Sequence, residues 1–100
     1  MRKSPWGRAT PWPAGDSSWT VDLGTEVTQV AADFLATLAE RDGVLVGVLE
    51  TSDHPNLTPG RWMVFAGHYE SANLAKRAAT KAQKKYPGAR PVYVIAPSRG

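Results

Sequence analysis

One hundred residues make one domain with a modest core, and a chain without cysteine has no disulfide framework, no thiol chemistry and no cysteine-based zinc site. The net charge of +3 hides an asymmetry: residues 1–54 carry four basic against eight acidic side chains, and residues 55–100 carry eight basic against one. The second half reads as a basic module, and no run is apolar and long enough for a membrane helix.

Residues 1–17 hold Pro5, Pro11, Pro13, Gly7 and Gly15, with Trp6 and Trp12 isolated among them and no periodicity. This predicts a flexible arm whose tryptophans either pack back on the domain or wait for a partner. The start "MRK" runs into "SPWGRATPWPAGD" rather than an apolar stretch, so no export signal is expected and the compartment stays open.

"WTVDLGT" alternates Trp19, Val21 and Leu23 with Thr20, Asp22 and Gly24, the period of a strand with one buried face. Val27, Val30, Ala31, Phe34, Leu35 and Leu38 then recur at three and four, which predicts a helix capped by Thr25 and stopped at Asp42-Gly43. "VLVGVLE" is a short β-branched run and so a second strand; "TSDHPNLTPG" must reverse the chain before "RWMVFAGHY", the third. Ser71 is placed to cap a second helix with inner line Leu74, Ala75, Ala78, Ala82 and Tyr86, ended by Pro87-Gly88, and "PVYVIA" is the last strand.

The order β-α-β-β-α-β predicts an α+β, ferredoxin-like domain with a four-stranded antiparallel sheet and both helices on one face. Alternation sends Trp62, Val64 and Ala66 to the helices and Met63, Phe65 and Gly67 to the open face, where strand 1 adds Thr20, Asp22 and Gly24. An uncovered Met-Phe pair is a patch that wants a partner, whether a ligand, a second copy of the sheet or the N-terminal arm.

"W-T-V-D-L-G" at Trp19–Gly24 and "W-M-V-F-A-G" at Trp62–Gly67, each leading into a helix, resemble the repeated strand pattern of SPOR (sporulation-related repeat) domains, and "SDHPNLTPGRWMVFAGHYESANLA" is similar to their actinobacterial-looking variants. The likeness spans about residues 18–97 and leaves 98–100 as a tail. It implies non-catalytic recognition of cell-wall peptidoglycan glycan strands on the open sheet face, in a cell-envelope setting if the chain belongs to an exported protein. The residues it points to are Asp22, Phe65, Gly67 and His68, with Met63 and Tyr93 beside them and Phe65 as the platform for a sugar ring.

Other readings of the same residues stand beside this one. Asp22 with Asp53 or Glu26 poses as a hydrolase pair, yet surface carboxylates are mostly solvated, and His68 has no evident nucleophile, so no enzyme is expected. His54 and His68 lack metal-site spacing, and neither a metal nor another cofactor is expected. Lys76, Arg77, Lys81, Lys84 and Lys85 form a basic face on the second helix, expected to point away from the sheet as a solvated face or a polyanion site. With the β-α-β-β-α-β order it makes an RNA- or DNA-binding module the main alternative, and a homodimer across two open faces is the third.

Overall fold

The structure, a computed structural model, describes Trp12 and residues 17–96. The expectations for the arm and for the tail fall outside these residues, apart from Trp12 and Ser17. Four strands form one antiparallel sheet: β1 (Ser18–Glu26), β2 (Val46–Glu50), β3 (Trp62–Tyr69) and β4 (Arg90–Val94), in the spatial order β2-β3-β1-β4. Two helices, α1 (Gln29–Arg41) and α2 (Ala72–Ala82), lie on one face, α1 over β2, β3 and β1 and α2 mainly over β4 and β1. This is the α+β arrangement anticipated, consistent with ferredoxin-like topology.

Alternation divides β3 as expected, but in β1 the register shift between Asp22 and Gly24 turns Gly24 to the helix side, against Leu35, and not to the open face. Val21, Leu23, Val46 and Val64 meet Ala32, Ala36, Ala39 and Ala79 on the helix side, whereas Met63, Phe65, Leu49 and Val94 cluster on the other. Gly67, with φ of +78°, sits where the β1–β3 register shifts between Trp19 and Val21, a backbone that glycine adopts without steric cost. The hydroxyl of Thr20, itself fully buried, lies 2.6 Å from the Gly67 carbonyl and 3.1 Å from that of Ala66, meeting the acceptors the bulge displaces.

The helices depart from the expected registers. β1 continues to Glu26, so Thr25 is a strand residue whose hydroxyl donates to Asp22, and the cap of α1 is Thr28, which accepts from the Ala31 amide at 3.1 Å. The inward line of α1 is Ala32, Leu35, Ala36 and Ala39, while Val30 and Phe34 are 79% and 65% exposed. Leu35 lies over Gly24, where an added Cβ would collide with its side chain, so the glycine makes room for the leucine of this line. Ser71 caps α2 as predicted, but Leu74 is exposed and Ala79 takes the central buried place with Ala75.

Candidate functional site

The face expected to be open is covered by the chain itself. Thr51–Asp53 form a short 3-10 turn after β2, and the segment returns at Arg61, whose carbonyl accepts from the Thr51 amide at 2.9 Å and whose amide donates to the Thr51 hydroxyl at 2.9 Å. Residues 52–60 therefore form a loop with joined ends. It crosses the sheet from the end of β2 to the end of β4, the opposite corner. There the Nδ1–H of His54, a residue only 3% exposed, donates to the Ile95 carbonyl at 2.7 Å. Asn56 donates to the Tyr93 carbonyl at 2.7 Å and accepts from the Ile95 amide at 3.2 Å. A carbonyl can only accept, so the His54 proton sits on Nδ1.

Beneath this strap Leu57 packs on the Met63–Phe65 cluster, and Trp12 joins it edge-to-face with Phe65, ring centroids 5.0 Å apart. Trp12 also lies 6.1 Å from the His54 ring and 4.5 Å from that of His68. Phe65 and Met63 are each 2% exposed. Phe65 is thus a core residue and no platform for a sugar ring, and the same cover removes the bare patch that a homodimer across two sheets required. Of the expected covers for this pair, Trp12 supplies one, and Leu57 is a second.

The remaining expected site residues divide among different places. His68 is exposed at the β3 end of the face, beside Trp12, and Gly67 is half-buried in the bulge. Tyr93 is on the other face: it pairs with Trp19 across β1–β4, their rings 5.5 Å apart, and β4 contributes Val92 and Val94 to the strap side instead. Asp22 is 3% exposed on the strap side; its Oδ2 accepts from the Thr25 hydroxyl at 3.0 Å and pairs with the Arg90 Nε at 3.3 Å. Its Oδ1 is buried and has no hydrogen-bond partner among the described residues. Thr25 and Arg90 are both exposed, so Asp22 forms the floor of a polar corner at the end of the sheet where β1 stops and β4 starts.

Lys76, Arg77, Lys81, Lys84 and Lys85 are all exposed, but they do not all point away from the sheet: Lys81, Lys84 and Lys85 border a hollow between α2 and the sheet. Lys85 pairs with Asp42 at 3.8 Å, and the same carboxylate accepts from the Tyr86 hydroxyl at 2.9 Å. Burial first, then this bond and the carboxylate charge, push the Tyr86 ionisation above its ordinary range. Among the described residues no three His, Asp or Glu gather as a metal cage, and no helix is long and apolar enough to cross a membrane.

The strap and Arg90 were not anticipated from the sequence, whereas Trp12 had been expected either to pack back on the domain or to wait for a partner. A single Leu57 in an otherwise polar loop, opposite a Met-Phe pair that needs cover, is the signal that pointed to the strap.

Fold and site together define a small α+β module with helices on one sheet face and its own loop on the other. The sequence matches no family model and no curated protein. Among solved structures it is similar to a protein of Burkholderia pseudomallei K96243 described as exported, at 23% identity and a TM-score of 0.63, over 77% of this chain and 16% of that one. The chain thus corresponds to a small part of that protein's length, and the likeness is one of fold. A looser similarity, at 22% identity and a TM-score of 0.46, links 86% of the chain to 98% of the peptidoglycan-binding domain of the Bacillus subtilis cell wall lytic enzyme CwlC.

Proposed function

We propose that this chain is a non-catalytic, SPOR-like module that binds the glycan strands of bacterial peptidoglycan, and that its contact is the polar corner of Asp22, Thr25 and Arg90. The observation that carries the site is the Asp22 carboxylate: one oxygen is held by Thr25 and Arg90, while the other is buried with no donor among the described residues. An unmet buried acceptor costs on the order of 1–3 kcal/mol, and a sugar hydroxyl reaching it as Arg90 swings outward removes that cost. The freed guanidinium then serves the acetamido carbonyl of an N-acetylated sugar, and the exposed Thr25 hydroxyl adds a third polar contact.

The nucleic-acid reading keeps its basic helix but loses its stacking ring, since Phe65 is covered. The test is retention on insoluble sacculi, intact and amidase-treated. The wild-type chain is expected to be retained on treated sacculi, and Arg90→Gln and Asp22→Asn to lose about tenfold or more in retention, as removal of a charged hydrogen-bond partner predicts. Lys81→Glu/Lys84→Glu should be retained like wild type. Undiminished retention of Arg90→Gln, or loss confined to the lysine variant, overturns the site; soluble muropeptides in the supernatant overturn the non-catalytic assignment.

A further inference from the structure

The hollow beside α2 belongs to neither the strap nor the polar corner. It encloses about 440 Å³, with Val21, Leu23 and Ala66 of the sheet below, Ala78 and Ala82 of α2 on one side and Val44 on the other. Its volume falls within the roughly 300–1,000 Å³ of small-molecule sites, and such sites combine apolar walls with a few placed polar groups. The cause is local. α2 meets the sheet through alanines, and methyl groups leave unfilled the space that a leucine row would occupy.

Its rim is cationic. Lys81 and Lys84 border it and make no ion pair among the described residues; Lys85 is engaged by Asp42, the acidic group on that side, which also holds the Tyr86 hydroxyl. A neighbouring hollow shares Tyr69, Ala78 and Lys81 and adds Arg77, extending the positive border along α2.

We infer that this hollow binds a small anionic amphiphile, a compact aromatic or branched aliphatic body bearing a carboxylate, with the body over Val21, Leu23 and Ala66 and the charge at Lys81 and Lys84. Charge complementarity fixes the orientation: the apolar body enters between α2 and Val44, and the carboxylate stays at the partly solvated rim, where ion pairing carries little desolvation cost. The site stands independently of the glycan reading.

The test is an amide-shift NMR titration of the full 100-residue chain with naphthalene-2-carboxylate, compared with neutral naphthalene-2-methanol. Saturable shifts are expected at Val44, Ala78, Ala82 and Tyr86, with the neutral analogue weaker by about tenfold, the scale of two partly screened ion pairs. Lys81→Glu/Lys84→Glu should abolish that preference without affecting the neutral compound. Ala82→Phe, which fills the hollow, should block both while leaving the amides of Asp22 and His68 in place. Shifts confined to lysine amides, equal affinity for the two compounds, or no saturable shift in the wild-type chain would each overturn the inference.

Discussion

On one side of the sheet Val21, Leu23 and Val64 are covered by alanines of two helices; on the other, Met63, Phe65 and Val94 are covered by one loop and one indole. The helices satisfy their own backbone, so their grip on the sheet is a matter of close apolar contact. The loop has no internal ladder and is held by side chains that grasp main chain: Thr51 at its foot, His54 and Asn56 at its tip. The same degree of burial is thus reached by periodic packing on one face and by polar tethers on the other.

The largest break in this symmetry comes from the ring under the strap. Phe65→Ala is expected to cost about 3–5 kcal/mol, a large share of the stability of a domain this size, and Phe34→Ala on the exposed side of α1 less than about 0.5. Urea unfolding midpoints measure both; a small effect at Phe65 would mean that the strap does not seal the face.

Asn56→Ala separates the two covers. It removes two bonds to Tyr93 and Ile95 and is expected to cost about 1–2 kcal/mol, felt as local opening. Proteolytic cutting within residues 52–60 should quicken about tenfold while α1 and α2 keep their resistance, whereas cutting at the helices would show that the faces open together.

The smallest effect is on the helix side. Burial raises the Asp33 carboxyl above its ordinary value of 3.8, so the folded state favours its protonated form. Its contribution to stability is complete below that value and is lost as pH rises through the raised one. Asp33→Asn should therefore be slightly more stable at neutral pH, with the gain gone near pH 3, a difference that thermal melts at the two pH values measure.

The order of elements along the chain, the two faces of β3, the Ser71 cap and the Gly43 stop were legible because alternation and capping are local rules. The register of α1 was not, since Val27, Val30 and Phe34 keep helical spacing as faithfully as Ala32, Ala36 and Ala39, and only packing against the sheet decides between them. The site was half legible. Asp22 was visible from strand parity, but Arg90 is its neighbour through β1–β4 pairing, a contact of 68 positions that no window of sequence reveals. Tyr93 was misplaced because its face depends on that same pairing.

The tethers of the strap also set an order of events. His54 and Asn56 bind the main chain of Tyr93 and Ile95, so during synthesis the strap has no anchor until those late residues emerge and β4 joins β1. Throughout that interval the Met63–Phe65 surface lacks its clasp, and the growing chain presents an adhesive patch to its neighbours. The joining of β4 to β1 is therefore also the step that lets the strap close over this patch.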